Sequence, residues 1–312
     1  MRLVTYRRRR ETRIGAVVEG QVIDLADARL TTGNPQLPTD MIAFLEMGAK
    51  GLRAAKAVLR TVAAHPSDAW AKPLRRVRLE APVPCPRKLL LLAGNYASHL
   101  AEEGRNVRAK REQTPRVFMK PPSTTVNRPG GDIPLGRHAH WVDWECELAV
   151  VIGRKAKYVT ARDAPKYIAG YTIVNDVSER DFSVRKRTKT EDFDRFFDWL
   201  NGKWPDGFCP MGPALVTPDE LPPSLDMAIT LAVNGKTMQD ARTSQLTYSC
   251  PEIVAYISRW VTLEPGDVIA TGTPAGIGKT QGLKLKSGDI VRCEIEGIGV
   301  LENRVVREPR RA

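Results

Sequence analysis

The chain has 312 residues and a formal net charge of +12, and 42% of its residues are hydrophobic and 27% charged. This composition is ordinary for a soluble globular protein, and no stretch approaches the ~20 apolar residues that a membrane-spanning helix needs. Basic residues cluster near both termini, and the aromatic residues, at 6%, do not alternate with them, so nucleic-acid binding is not expected. The positive charge instead favours anionic substrates.

The number and spacing of the cysteines indicate the cellular compartment. Five cysteines lie far apart without a Cys-x-x-Cys pair, and the odd number argues against a complete disulfide framework. Residues 1–6 lead into arginines without an apolar stretch, which does not resemble a signal peptide. We therefore expect a protein of the reducing cytoplasm.

The first 80 residues predict a small N-terminal α+β domain. Short strand patterns at 2–6, 13–18 and 22–25 are typical of hairpins, and a helical pattern follows Thr39, is interrupted near Gly51 and continues to about residue 64. Prolines recur between residues 66 and 86, which indicates a linker or an extended segment. We place a domain boundary near residue 80 and assign residues 81–312 to a second, larger domain.

A possible proton-transfer pair follows a predicted buried strand at residues 89–93. His99 and Glu102 are three residues apart, so on a helix they lie on one face within hydrogen-bonding distance. A carboxylate beside an imidazole raises its basicity and fixes its tautomer, as a general base that activates water requires. The alternative is an ordinary exposed pair on a surface helix.

Two lysines are further candidates. The charged segment 103–116 predicts a mobile surface loop and a possible lid, and Lys120 follows it. Lys203 precedes a second turn. Either lysine could hold an oxyanion or a substrate carboxylate, although most lysines are simply solvated.

Residues 143–153 predict a buried strand that carries two carboxylates. Because residues two apart on a strand share a face, Glu145 and Glu147 point the same way. Two buried carboxylates repel each other and need a cation, and oxygen ligands favour Mg²⁺ or Mn²⁺ over Zn²⁺. The alternative is a solvated strand face that happens to carry two acids.

A third acid, Asp176, ends the next strand pattern at residues 169–176. A helix is predicted before it, because residues 160–163 fit a capping box. If the two strands are neighbours, Asp176 completes a three-carboxylate site that leaves positions open for water or substrate.

The remaining patterns define the fold class. Ser249 and Glu252 fit the N-cap and N3 positions of a helix that continues to about Trp260. The glycine-rich loop 271–278 can present backbone N–H groups and a hydroxyl to an anion, but it lacks a nucleotide-binding pattern. Strands outnumber helices without a regular βαβ alternation, which predicts an α+β, mainly β fold.

An ordered set of motifs resembles the fumarylacetoacetate hydrolase family. In chain order the motifs are Asn95-Tyr96-x-x-His99-x-x-Glu102, Phe118-x-Lys120-Pro121, Glu145-x-Glu147-Leu148, Asn175-Asp176-Val177-Ser178-x-Arg180-Asp181, Gly212-Pro213 and Thr271-Gly272-Thr273-Pro274-x-Gly276. The resemblance covers residues 85–306. It implies a mixed β-roll with a small N-terminal domain, a bound Mg²⁺ or Mn²⁺, a homodimer and a catalytic role for the second domain.

The resemblance also implies roles for individual residues. The metal ligands by position are Glu145, Glu147 and Asp176. The catalytic residues by position are His99, Glu102 and Lys203. The residues that match substrate-binding positions are Lys120, Arg180 and Thr273. One departure leaves the substrate open, because Ser183 stands where the family often has glutamine and the following segment 184–201 is long and charged.

The implied reaction is the hydrolysis of a carbon–carbon bond in a 2,4-dioxo acid such as an acylpyruvate, which releases a 2-oxo acid and a carboxylic acid. His99, oriented by Glu102, would take a proton from water, and Lys203 would hold the oxyanion. The metal would act as a Lewis acid on the 1-carboxylate and 2-oxo oxygens. The same site also suits oxaloacetate decarboxylation and the isomerisation or tautomerisation of oxo-dienoates.

Overall fold

The structure is a computed structural model that describes residues 1–27, 36–65, 70–182 and 187–308. The strands in this part of the chain are β1 (Arg2–Arg8), β2 (Glu11–Val18), β3 (Gln21–Asp24), β4 (Ala71–Pro73), β5 (Arg78–Glu80), β6 (Leu89–Ala93), β7 (Arg116–Met119), β8 (Val126–Asn127), β9 (Asp132–Leu135), β10 (Val142–Asp143), β11 (Cys146–Ile152), β12 (Ile168–Asn175), β13 (Ser178–Glu179), β14 (Cys209–Val216), β15 (Ala228–Val233), β16 (Lys236–Arg242), β17 (Val268–Ala270), β18 (Ile290–Ile295) and β19 (Gly299–Arg307). The α-helices are α1 (Met41–Glu46), α2 (Gly48–Ala64), α3 (Ala97–Glu102), α4 (Pro122–Thr125), α5 (Asp192–Asn201), α6 (Cys250–Ser258) and α7 (Gly278–Gln281).

The described strands form two main sheets. The larger sheet has the order β4-β3-β2-β1-β14-β12-β11-β17-β6-β7, with β5 beside β1 and β8 beside β14. The smaller sheet has the order β16-β15-β18-β19-β9, and β10 pairs with β13 in a short ladder. Strands dominate and most pairs are antiparallel, which confirms the α+β, mainly β prediction.

The N-terminal strands continue the large sheet, because β1 pairs antiparallel with β14 and Arg2 lies opposite Val216. The Thr5 hydroxyl also donates to the Pro82 carbonyl oxygen at 2.7 Å. The domain boundary near residue 80 stays a prediction.

Strand β11 shows how the core is divided. Leu148 and Val150 belong to one hydrophobic cluster, which joins the large sheet to the smaller sheet and α6. Ala149 and Val151 belong to the other cluster, which packs against α1 and α2. This alternation places Glu147 on the same face as Ala149 and Val151, as the strand period requires.

One local prediction needs correction. The helix predicted after residue 160 is a short 3₁₀ turn, Ala164–Tyr167, because the Thr160 hydroxyl bonds Asp163 and the chain enters β12 directly. The helix that the pattern after Thr39 predicts begins as α1, and Asp40 is its N-cap. The described part of the proline-rich segment carries β4 and β5, which agrees with the extended-segment alternative.

Among the described residues, no helix is both long enough and apolar enough to cross a membrane.

Candidate active site

Three buried carboxylates meet where β11 begins and β12 ends. Glu145 directly precedes β11, Glu147 lies within it, and Asp176 directly follows β12. The two strands are antiparallel with Cys146 opposite Asn175, and the Asp176 N–H donates to the Glu145 carbonyl oxygen at 2.8 Å. One ligand oxygen from each of the three carboxylates lies within 4.8 Å of the others. The predicted three-carboxylate cluster is therefore present in the fold.

Two cations neutralise part of this cluster. Lys203 Nζ lies 3.0 Å from Glu145 Oε2 and 2.6 Å from Asp176 Oδ2. Arg180 pairs with Glu145, and its Nε donates to Asp143 Oδ2 at 2.9 Å. An ammonium group has three donors, so Lys203 keeps one N–H for a further acceptor.

Lys120 lies behind the cluster. Its side chain is completely buried, forms an ion pair with Asp176 and donates to the Val177 carbonyl oxygen at 2.9 Å. It does not line the large cavity described below, so its position is that of a charge-balancing residue.

The neighbours set the ionisation of the cluster. Burial opposes ionisation of Glu145, but Lys203 and Arg180 outweigh it and hold the pKa of that carboxyl far below its usual range. Burial, together with the charges of Asp176 and Glu145, raises the pKa of Glu147 well above its usual value. Burial opposes the charge on Lys203, but Asp176 and Glu145 raise its pKa, so it remains an ammonium ion.

One oxygen of Glu147 is suited to binding a cation. Glu147 Oε2 accepts the Gly272 N–H at 2.7 Å, whereas Oε1 is buried and has no hydrogen-bond partner among the described residues. A buried unsatisfied carboxylate oxygen is costly. All donors in this cluster are carboxylate oxygens, the ligands that Mg²⁺ and Mn²⁺ prefer. The residues therefore fit a divalent cation.

The predicted His–Glu pair is formed on α3. His99 Nδ1 lies 2.8 Å from Glu102 Oε1. Glu102 Oε2 accepts the Gly276 N–H at 2.8 Å and the Thr280 hydroxyl at 2.9 Å. Burial opposes ionisation of Glu102, but the bonds from His99, Gly276 and Thr280 lower its pKa. The glycine-rich loop therefore holds Glu102 as an ionised partner for His99.

One cavity of about 920 Å³ is lined both by a residue of the His99–Glu102 pair and by a residue of the carboxylate cluster. Its lining includes five of the predicted site residues: His99, Glu145, Arg180, Lys203 and Thr273. The Thr273 hydroxyl donates to the Cys146 carbonyl oxygen at 2.9 Å and accepts from Gln239 at 2.8 Å, so it is largely occupied by the protein itself.

The structure shows two positioning residues that the sequence did not identify. Asp143 accepts the backbone N–H groups of Gly278 and Lys279 at 2.7 and 3.1 Å, and so ties Arg180 to the glycine-rich loop. Gln239 accepts the Cys146 N–H at 2.9 Å, which joins the start of β11 to the same loop. The only sequence signal for Asp143 was that it is an acidic residue two positions before the Glu145-x-Glu147 motif.

An aromatic pair covers Lys203. Its Nζ lies 5.4 Å from the centroid of the Phe118 ring and 5.9 Å from that of Trp199, which α5 supplies. The segment 184–201, whose difference from the family left the substrate open, thus contributes to the cavity through Trp199. Ser183 and residues 184–186 lie outside the described residues.

The predicted lid, residues 103–116, is largely exposed. A 3₁₀ turn at Lys110–Glu112 joins it to α6, because Lys110 Nζ lies 2.7 Å from Glu252 Oε1. Its movement stays a prediction.

The fold and the carboxylate cluster agree with the similarity of this chain to known proteins. The family described as fumarylacetoacetate (FAA) hydrolase C-terminal matches residues 88–306. The chain therefore belongs to the fumarylacetoacetate hydrolase family, as the motifs predicted.

Two similar proteins are named for the same activity. The chain is 40% identical over 289 residues to oxaloacetate tautomerase FAHD2A, mitochondrial, of Bos taurus, covering 92% of this chain and 84% of that protein. It is 38% identical over 298 residues to oxaloacetate tautomerase fahd2, mitochondrial, of Xenopus laevis, covering 94% and 86%.

Two similar solved structures carry other names. A putative HpcE protein from Mycobacterium smegmatis matches with a TM-score of 0.79 and 31% identity, covering 99% of this chain and 100% of that one. Maleylpyruvate hydrolase from Sphingobium sp. SYK-6, in complex with manganese (II) and pyruvate, matches with a TM-score of 0.76 and 27% identity, with the same coverage.

Proposed function

We propose that this protein catalyses the keto–enol tautomerisation of oxaloacetate or a related 2-oxo dicarboxylic acid, with the help of a divalent cation. The observation that carries the proposal is that His99, Glu145 and Lys203 line a single cavity. The names of relatives with 40% identity over most of the chain support this choice of reaction over the hydrolysis expected from the motifs.

His99 is the proposed base. Tautomerisation breaks the C3–H bond of the acid, and that electron pair forms the C2=C3 double bond while the 2-oxo oxygen becomes a hydroxyl. Because Nδ1 of His99 bonds Glu102, its Nε2 is left to take the C3 proton. The oxygen then takes a proton from water, and His99 returns the C3 proton to the hydroxide that forms, which restores the neutral base.

Lys203 is the proposed donor to the 2-oxo oxygen. Its raised pKa keeps it charged, and its remaining N–H can donate to the oxygen as negative charge develops there. Glu145, Glu147 and Asp176 would hold a divalent cation, which would supply positive charge to polarise the same carbonyl group.

The test follows the tautomers and the products separately. The enol content of fresh oxaloacetate is monitored by ultraviolet absorbance with Mg²⁺ or Mn²⁺, and the products are identified by mass. We expect faster equilibration of the tautomers without loss of oxaloacetate. Production of pyruvate and carbon dioxide at the same rate would instead assign the protein to oxaloacetate decarboxylation.

Hydrolysis of an acylpyruvate is the second candidate. The cavity of about 920 Å³ exceeds what a molecule as small as oxaloacetate needs, and a solved relative is named a maleylpyruvate hydrolase. In this reaction His99 would take its proton from water rather than from carbon. Release of pyruvate and the matching carboxylic acid from a series of acylpyruvates would support hydrolysis. If no such products form, hydrolysis is ruled out as the function.

The homodimer and the cytoplasmic location stay predictions. The molar mass in solution, measured by light scattering, tests the first.

A further inference from the structure

Arg116 stands out among the cations that line the cavity. Within the described part of the chain, the other lining lysines and arginines each have a carboxylate partner: Arg105, Arg180, Arg187, Arg195, Lys203 and Lys279. Arg116 forms no hydrogen bond or ion pair with any residue that the structure describes. A guanidinium that faces a binding cavity without a partner is available to an anionic ligand.

The position of Arg116 follows from β7. Arg116 and Phe118 are two residues apart on this strand, so their side chains share a face and their Cα atoms are about 7 Å apart. The Phe118 ring is the one that lies 5.4 Å from Lys203 Nζ. Arg116 therefore lies beyond Phe118 as seen from the carboxylate cluster.

The guanidinium also reaches the short segment between β6 and the helix that carries His99. Arg116 Nη1 lies 3.4 Å from the position that a Cβ atom would occupy on Gly94, which directly follows β6. The cavity wall in this region includes the apolar side chains of Leu100 and Phe118. Apolar wall between two cationic positions suits a methylene chain that carries an anionic group at each end.

We propose that Arg116 binds a second carboxylate, at the end of the substrate remote from its 2-oxo acid group, and thereby selects 2-oxo dicarboxylic acids over 2-oxo monocarboxylic acids. The inference rests on the proposed function, because it requires the 2-oxo acid group to lie beside Lys203. It adds a specificity-determining residue outside the motifs that the sequence identified.

The test compares two acids of equal chain length, 2-oxoadipate and 2-oxohexanoate, which differ in whether the far end is a carboxylate or a methyl group. Their binding to the Mn²⁺-loaded full-length protein is measured by titration calorimetry. A charge-assisted hydrogen bond at a solvent-accessible site corresponds to about ten-fold in affinity, so the wild type should bind 2-oxoadipate about ten-fold more tightly. Arg116→Gln should remove this preference and leave the binding of 2-oxohexanoate unchanged.

Arg195→Gln is the matched control, because Arg195 is also exposed and lines the cavity but already pairs with Asp192. It should retain the preference. If the wild type binds the two acids equally, or if Arg116→Gln keeps the preference, the second carboxylate site is wrong while the proposed function stands. If the wild type binds neither acid, the proposed function fails and this inference fails with it.

Discussion

Glu102 holds His99 with one carboxylate oxygen at 2.8 Å and uses the other oxygen to accept the Gly276 N–H. The carboxylate thus joins the proposed base on α3 to a loop more than a hundred residues away in the chain. The base can be correctly oriented only while that loop keeps its conformation.

Replacement of His99 by alanine should lower turnover by about 10²–10⁴-fold, the usual contribution of general-base catalysis. Mn²⁺ binding should survive, because His99 is not one of the three clustered carboxylates. Steady-state kinetics and titration calorimetry measure the two effects. His138→Ala is the control, since this histidine is exposed. Near-normal turnover in His99→Ala would exclude a catalytic role for His99.

Glu102→Gln should destabilise the protein in a pH-dependent way. The pKa of Glu102 is lowered in the fold, so its ionised form contributes stability above the pKa of about 4.3 that it has when unfolded. That contribution is lost as the pH falls through the lower, folded pKa. The free energy of unfolding should therefore differ between wild type and variant by about 1–3 kcal/mol at pH 7, and the gap should narrow in acid. A gap that does not depend on pH would contradict this prediction.

A divalent cation should raise the melting temperature of the wild type, because it binds the folded chain. The stabilisation is about 2.7 kcal/mol when the cation concentration is 100 times its dissociation constant. Since the pKa of Glu147 is raised and the cation needs the ionised carboxylate, affinity should increase as the pH rises toward that pKa.

Glu147→Gln should abolish this melting shift, as measured by differential scanning calorimetry with Mg²⁺ and Mn²⁺. Glu103→Gln is the control, because Glu103 lines the cavity but is not one of the three clustered carboxylates. An unchanged shift in Glu147→Gln would place the cation elsewhere.

Gly276→Ala should damage the loop that holds Glu102. The glycine has φ +106°, and a Cβ atom there would lie 2.0 Å from the Met238 carbonyl oxygen. Gly282→Ala is the control, because φ is +68° but nothing lies within 4 Å of its Cβ position. The control should lose roughly 1–2 kcal/mol of unfolding free energy for the left-handed backbone alone. Thermal unfolding and turnover should both be affected far more in Gly276→Ala; equal losses would show that the close contact has no role.

Trp199→Ala should raise the KM for the substrate several-fold. Trp199 packs edge-to-face on Phe118, with centroids 4.9 Å apart, and covers Lys203. Its loss admits water to the ammonium group and weakens its interaction with the substrate. Phe193→Ala on the same helix is the control, since that side chain is 74% exposed. An equal KM in both variants would contradict the covering role.

The sequence predicted the carboxylate cluster because the relevant rule is local. The period of a strand fixes Glu145 and Glu147 on one face, and the end of the next strand places Asp176 beside them. The His99–Glu102 pair is likewise set by the spacing of one helical turn, and the structure brings each of these residues to its predicted place.

Other features depend on contacts between distant segments. Asp143 binds the loop at Gly278, and Gln239 binds Thr273, although neither pair has a sequence pattern that links it. The burial of Lys120 shows the same limit, because its partners Asp176, Val177 and Phe208 come from segments that are distant in the chain. Similarly, nothing local distinguishes Arg116 from the other arginines.

The pairing of β1 with β14 has a consequence for shortened forms of the chain. The family match begins at residue 88, yet removal of the preceding residues would uncover the β14 edge at Leu215 and Val216. Leu3 and Ile14, which pack in the same cluster as Leu215, would be lost with them. An uncovered strand edge beside apolar side chains invites pairing with another molecule. We therefore expect a form of the chain that begins at residue 88 to associate with other molecules rather than to remain monodisperse.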